Sequence, residues 1–342
     1  PFLGRLVDIW AEHKVILLAM PMLALACVMA ALAPNLIILG VAIYLLRLFG
    51  QGMMTHIALT ATGRWFAAQR GRAMSLVVLG HQGGEAILPG LYVAIAAAVG
   101  WQMAWIAGAA LLLLVALPLA TIAYRVPRSP RGHAPEVTSD EKNWTVREVF
   151  RDPIFWILLT GVLAPPFIGT TIFFHQDYMK EIRDWPDAVF ASSFTAMAMT
   201  TVCFALICGQ LNDRFGAKRI LPFYLIPLSV SCFVAGTSDG VAGPYLFMIL
   251  LGVSYGFSST LFGSLWPEVY GTEHLGAIRS VIIPFMVAAT AAGPFITGTL
   301  IDQGITFFDQ LVAMSLYCLL AAGLMTFASG RLRARALANT LR

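Results

Sequence analysis

Apolar runs of bilayer-spanning length recur along the chain, broken by short polar joints. They cover residues 15–34, 35–62, 73–99, 101–124, 153–176, 188–211, 220–237, 243–267, 281–301 and 307–329. A helix needs roughly 20 apolar residues to cross the hydrocarbon core. The strict apolar/polar alternation of a membrane barrel strand is missing from these runs. The pattern therefore predicts an all-α, multi-pass membrane protein with ten spans visible in the sequence.

A second pattern repeats the first. Gly4-Arg5-Leu6-Val7-Asp8 returns as Gly209-Gln210-Leu211-Asn212-Asp213, with Gly4 and Gly209, Leu6 and Leu211, and Asp8 and Asp213 all 205 positions apart. The same step relates Gly71 to Gly276, Ser75 to Ser280 and Pro89 to Pro294. Several matches at one step indicate an internal duplication. It divides the chain into a first half bundle (1–124), a linker (125–152), a second half bundle (153–330) and a basic tail (331–342). The linker holds Pro127, Pro130 and Pro135, then an amphipathic piece from Thr145 to Phe150. Carried back from residue 153, the step starts the first half about fifty residues before Pro1. The first helix and most of the second are therefore expected to lie outside this sequence.

Charge adds an orientation. Only 12% of residues are charged against 58% hydrophobic, where a soluble domain has about a quarter charged. Nineteen of the 22 lysines and arginines fall on one side, in the repeat-motif loops, loop 63–72, at Arg279, in the linker or in the tail; Lys180 and Arg183 lie opposite and Arg47 within the membrane. The positive-inside rule places that side in the cytoplasm of a plasma membrane, with linker and C-terminus inside. The net charge of +4 gives no reason to expect nucleic acid as a partner. The five cysteines sit in apolar runs without metal-ligand spacing, so no metal and no cofactor is expected.

Two parallel repeats joined by a basic linker, with these loops, resemble the Major Facilitator Superfamily of secondary transporters. The stretches beginning at Gly4 and Gly209 resemble its signature loops; Leu46-Arg47-Leu48-Phe49-Gly50-Gln51-Gly52 is similar to its fourth-helix motif. Arg64-Trp65-Phe66 with Arg70-Gly71-Arg72, and Trp266-Pro267-Glu268 with Gly276 and Arg279, resemble the monocarboxylate-porter-like and oxalate/formate-exchanger-like branches. Ile9 and Ala11 depart from the signature, and spans 188–211 and 281–301 lack the charge those branches often carry there. The resemblance implies a fold of two six-helix repeats and alternating access. It further implies gate roles for Gly4, Asp8, Arg72, Gly209, Asp213, Arg214, Gly276 and Arg279.

A charge inside the membrane is costly and calls for a reason. Arg47 lies twelve residues into its span, roughly 18 Å at 1.5 Å per residue, and Glu85 stands at a similar depth in the next span. Arg47 reads as an anion anchor or coupling partner, or else as a structural arginine on helix carbonyls. Glu85 reads as the titrating group of a proton-coupled cycle, or as a neutral or Arg47-paired packing residue. His81 stands one turn before Glu85 and Pro89 one turn after. Gln51 shares the Arg47 face, whereas His175 and Asp177 read as a solvated helix end. In the second half Ser254, Tyr255 and Ser258 offer hydroxyls to a solute, or serve as small interhelical contacts. Pro89, Gly293 and Pro294 are candidates for helix bending.

Gly252-Val253-Ser254-Tyr255-Gly256 and Gly236-Thr237-Ser238-Asp239-Gly240 spell a nucleophile elbow, but neither sits on a strand-to-helix turn. No enzyme is expected. The reading is a monomeric secondary transporter of a small carboxylate, proton-coupled and embedded in the lipid bilayer; the alternative is an efflux antiporter for drugs or amphiphiles.

Overall fold

The computed structural model describes residues 6–66, 69–125 and 143–340. Among them there is no β-strand. Linker residues 126–142, with Pro127, Pro130 and Pro135, lie outside the described residues, as does Gly4.

The first half consists of α1 (Leu6–Ile9), α2 (Glu12–Ala31), α3 (Leu36–Leu45), α4 (Thr55–Trp65), α5 (Arg70–Val99), α6 (Trp101–Leu111) and α7 (Leu117–Arg125). A π-helical run, Leu46–Met54, joins α3 to α4 without a break, and a shorter one, Leu112–Ala116, joins α6 to α7. A short α8 (Val146–Arg151) leads into the second half. That half holds α9 (Pro153–Phe174), α10 (Gln176–Arg183), α11 (Asp187–Phe215), α12 (Ala217–Ile220), α13 (Ile226–Thr237), α14 (Gly243–Tyr270), α15 (Leu275–Asp302) and α16 (Phe307–Thr340).

Local chemistry sets the helix ends. Asn35 opens α3 by accepting the Ile38 N–H at 2.9 Å. Thr145 and Glu148 form a capping box on α8. Asp152 accepts the Ile154 N–H at 3.1 Å, ahead of Pro153 in the first turn of α9. Gly100, Gly216 and Gly271 end α5, α11 and α14 with φ of 94°, 80° and 83°, a region closed to most side chains.

Eight helices among the described residues are long and apolar enough to cross a bilayer, against the ten spans read from the sequence. The other two runs are helical but do not belong to those eight. One is α5, which carries the polar stretch Gly80-His81-Gln82-Gly83-Gly84-Glu85. The other is α13, whose 12 residues cover roughly 18 Å and which turns 221–225 connect back to α12. Arg331, Arg333 and Arg335 of the basic tail lie in α16; Arg342 lies outside the described residues.

The second half has one large core, with Phe155, Leu158, Tyr224, Phe247, Leu251 and Phe307 at its centre. The first half has two smaller clusters, around Val15, Phe49 and Ile57 and around Ala24, Cys27 and Ala109. Cys203 is exposed and the other four cysteines are buried, all of them free.

The crossing of α11 on α14 is made by glycine. A Cβ on Gly252 would lie 2.5 Å from the Met197 carbonyl oxygen, and one on Gly256 equally close to that of Thr201. The stretch that spells a nucleophile elbow is therefore a G-x-x-x-G contact that brings two backbones together. Gly256→Ala should destabilise the protein by about 1–3 kcal/mol through overpacking, read as a lowered thermal unfolding midpoint. Gly240→Ala, with open space at its Cβ, should leave the midpoint unchanged.

Candidate functional site

The two repeat motifs meet each other's halves at one end of the molecule. A helix leaves its first four N–H groups without intrahelical partners, and the aligned peptide dipoles favour an anion there. Asp8 crosses from α1 to the start of α15: Oδ1 accepts the Gly276 N–H at 2.9 Å and Oδ2 the Ala277 N–H at 2.6 Å. Asp213, near the end of α11, does the same for α5. Its Oδ1 accepts the Gly71 N–H at 2.6 Å and its Oδ2 the Arg72 N–H at 3.1 Å. Each carboxylate thus occupies the second and third N–H groups of a helix belonging to the opposite half.

Glycine permits the approach. A Cβ on Gly276 would stand 2.5 Å from Asp8 Oδ1, and one on Gly71 would run into the Gly209 carbonyl oxygen. A Cβ on Gly209 would lie 2.8 Å from both the Gly71 carbonyl oxygen and Ser75 Oγ. Behind this contact Met74 of α5 fills the notch left by Gly263 in α14.

The two carboxylates are held differently. Asp8 pairs with Arg64, whose guanidinium also donates to the Val7 carbonyl (2.7 Å) and the Thr272 carbonyl (3.2 Å). Arg72 stands 3.7 Å from Asp213, with its side chain 62% exposed. Arg64 is the residue that the sequence reading missed. It was visible in Arg64-Trp65-Phe66, a motif used there only for resemblance. Glu268 is a second omission: its Oε2 accepts the Ala217 N–H at 2.7 Å and so fixes the start of α12.

Two expected gate residues make other contacts. Arg214 is exposed, its guanidinium 5.2 Å from the centre of the Phe215 ring. Arg279 is buried and donates to the Gly263 carbonyl at 2.7 Å, a brace between α15 and α14. Burial ties it to carbonyls because no carboxylate within salt-bridge distance is present among the described residues.

At the other candidate site Arg47 lies in the π-helical run and is exposed. So are Gly40, Tyr44, Gln51 and Thr55, spaced three or four apart on the same helix face. Tyr44, Arg47, Gln51 and Thr55 form a polar stripe, of which Tyr44 and Thr55 had not been anticipated. No carboxylate pairs with Arg47 among the described residues. On α5 His81 is exposed, and a Cβ on Gly80 or Gly83 would find open space. The side chains of Glu85 and Pro89 lie outside the described residues, and with them the Arg47–Glu85 pair.

The second-half hydroxyls do not join this stripe. Ser254 is fully buried, 3.3 Å from the Tyr224 carbonyl to which it donates, and Ser258 donates to the Ser254 carbonyl at 2.7 Å. Hydroxyls with carbonyls in reach take them when no water is present. Tyr255 packs its hydroxyl into the slot left by Gly169 in α9. Gly293 is also a close-contact glycine, its absent Cβ making room for the Phe167 carbonyl oxygen at 2.6 Å. Helix α15 runs unbroken past Pro294. His175 is buried against Phe307 at 5.1 Å between ring centres, contrary to a solvated end, whereas Asp177 is exposed and pairs with Lys180.

A sequence profile described as Major Facilitator Superfamily matches residues 1–294. The chain belongs to the Major Facilitator Superfamily. Relatives include the MFS transporter asaE of Aspergillus flavus, 23% identical over 275 residues, 79% of this chain and 59% of that protein. The chain thus spans less than two thirds of that relative's length. Another is the uncharacterized MFS-type transporter YhjX of Escherichia coli, 20% identical over 82% of this chain and 69% of that one. Among solved structures, a bacterial homologue of the iron transporter ferroportin in its outward-facing state shares the fold. Its TM-score is 0.67 at 17% identity, over 97% of this chain and 85% of that one. The fucose:proton symporter of Escherichia coli gives 0.68 at 11% identity, over 95% and 86%. The human organic anion transporter MFSD10 gives 0.64 at 14%, over 96% and 79%.

In this member of the superfamily the interlock is reversible chemistry: hydrogen bonds to a carboxylate, each contributing about 1.5–3 kcal/mol. Ser75 lies buried beside the Gly71–Gly209 crossing. In a background with exposed Cys203 changed to serine, Ser75→Cys should react slowly with a hydrophilic maleimide. Adding Asp213→Ala should accelerate labelling roughly tenfold or more as the interlock opens; an unchanged rate would show that Asp213 does not hold it shut.

Proposed function

We propose that the chain belongs to a secondary transporter that moves a small organic anion of the carboxylate class across the plasma membrane. The transporter works by alternating access and is coupled to protons. The observation that carries this reading is Arg47: an exposed guanidinium in the middle of a membrane helix, on a stripe with Tyr44, Gln51 and Thr55. Insertion scales put an arginine at the bilayer centre at about 2.5–3.5 kcal/mol. An arginine kept at that depth calls for water or an anionic partner, and an anionic solute meets that need. A guanidinium binds a carboxylate through two parallel N–H donors. Tyr44 and Gln51 supply neutral donors on either side.

Glu85 is the titrating group in this reading and His81 its neighbour on the same helix. A carboxyl that takes up a proton as the solute binds lets the two cross together. The interlocked helix starts form the cytoplasmic gate, because the basic residues gather at that end. Lys180 and Arg183 belong to α10 at the opposite end, where Arg183 pairs with Asp239. The fold accommodates both parts of the proposal, since it is shared with a fucose:proton symporter and an organic anion transporter.

The test uses the full-length protein in proteoliposomes with an imposed pH gradient and a panel of labelled small carboxylates. One acid should accumulate. Arg47→Ala should weaken its apparent affinity roughly tenfold to a hundredfold, the range expected for loss of a charged hydrogen-bonded contact. Glu85→Gln should abolish gradient-driven accumulation while solute exchange persists. If no carboxylate moves and the vesicles instead extrude amphiphilic dyes, the efflux reading replaces this one.

A further inference from the structure

A groove unrelated to the polar stripe opens on the outer flank of the second half, near the basic end. Its volume is about 490 Å³, within the range of small-molecule sites. One wall is the joint between α12 and α13, the other is α16. Both elements pack against helices of their own half, α9 and α14 among them, so the groove faces away from the first half. In a multi-pass membrane protein that direction is the lipid.

The lining is graded along the helix axis. On α16 the contributing positions run Leu319, Ala322, Gly323, Thr326, Ser329 and Arg333, spaced three to four residues apart on one stripe. Across from them stand Arg219, Phe223 and Ile226. The deep part is apolar, with Phe223, Ile226 and Leu319 as walls and the small Ala322 and Gly323 as floor. From Leu319 to Arg333 the groove spans roughly 21 Å of helix. Thr326 and Ser329 are internally satisfied, donating to the carbonyls of Ala322 (2.9 Å) and Lys218 (2.6 Å).

Two positive charges stand at the mouth without a counter-charge. Neighbouring cations are matched: Lys218 lies 3.9 Å from Glu268, and Arg335 makes two hydrogen bonds to Asp152 at 2.8 and 3.1 Å. Arg219 and Arg333 are exposed, and neither has a carboxylate within salt-bridge distance among the described residues. An apolar trough with two uncompensated guanidiniums at its interfacial end has the shape and charge of a phospholipid with an anionic headgroup. Basic pockets between transmembrane helices recognise anionic lipid headgroups by this chemistry.

We infer that the α12–α13/α16 groove is a binding site for one anionic phospholipid, its phosphate held by Arg219 and Arg333 and an acyl chain laid over Ala322 and Gly323. The site acts as a clamp: a lipid there joins α16 to the α12–α13 joint, which Glu268 and the Ser329–Lys218 bond already hold from the protein side. It depends on membrane embedding alone and is independent of which solute is carried.

Native mass spectrometry of the full-length protein in detergent tests this, with phosphatidylglycerol and phosphatidylcholine of identical chains as probes. The wild type should retain one phosphatidylglycerol roughly tenfold better than phosphatidylcholine, as two interfacial arginines predict. Arg219→Gln combined with Arg333→Gln should bring the two lipids to parity. Gly323→Leu, whose side chain enters open space rather than protein, should reduce retention of both by blocking the floor. Excess glycerol phosphate should not displace the lipid, which separates a lipid site from a bare anion site. Equal retention of both lipids by the wild type, undiminished selectivity in the double variant, or full displacement by glycerol phosphate would each overturn the assignment.

Discussion

The two repeat-motif contacts between the halves are arranged around one demand: the first N–H groups of a helix must find an acceptor. In α5 and α15 that acceptor is an aspartate from the opposite half. The backbone supplies the donors at no conformational cost, and the helix dipole favours the anion. Since the donors are backbone groups, the carboxylate must come within hydrogen-bond reach of the helix itself, and no side chain is tolerated at the second helical position. Gly71 and Gly276 answer that requirement, and the Gly71–Gly209 crossing follows from it. Water can replace the aspartate at an exposed helix start, which makes the same contact separable.

The duplication has not kept the two copies equal. Asp8 is gripped by Arg64, which also ties down the Val7 carbonyl and reaches the Thr272 carbonyl in the α14–α15 joint. Asp213 has only the distant and exposed Arg72 beside it. Instead the second signature loop is braced from within its own half, through Glu268 on the start of α12. Position 268 minus the 205 step is Gly63, which has no carboxylate to cap a helix start. One loop is thus held across the interface and the other inside its bundle, so breaking the Asp213 contact leaves the second half intact as a unit.

The duplication, the apolar runs and the reciprocal roles of Asp8, Asp213, Gly71 and Gly276 are legible in the sequence because they depend on periodicity and spacing, which a linear reading preserves. Arg64 and Glu268 were not picked out, because their role arises only where two loops far apart in the chain meet. Ser254 and Ser258 were left between two readings for a related reason. A hydroxyl on a helix looks alike whether it faces a cavity or a neighbouring carbonyl, and only the fold shows that Tyr224 lies opposite Ser254. Gly293 and the Gly252–Gly256 pair likewise carry information about crossings, not about bends or catalysis.

These assignments divide the labour between the halves. In the second half Ser254 and Ser258 donate to carbonyls, helices pack through glycines and aromatic residues gather in the core, while Tyr224 Oη and Thr297 Oγ1 are buried with no hydrogen-bond partner among the described residues. A hydroxyl that already donates to a carbonyl has little left to offer a solute. In the first half the fourth-helix motif sits in a π-helical run, with Tyr44, Arg47, Gln51 and Thr55 on one face. A π-run trades i→i+4 bonds for longer ones and costs helix stability, which is why such runs frequently mark functional sites. The unpaired polar atoms and the local helix distortion therefore coincide on the segment around Arg47. In a membrane, polar groups left unpaired must meet water or a ligand, which is why the proposed anion site falls on this segment and not on the second-half hydroxyls.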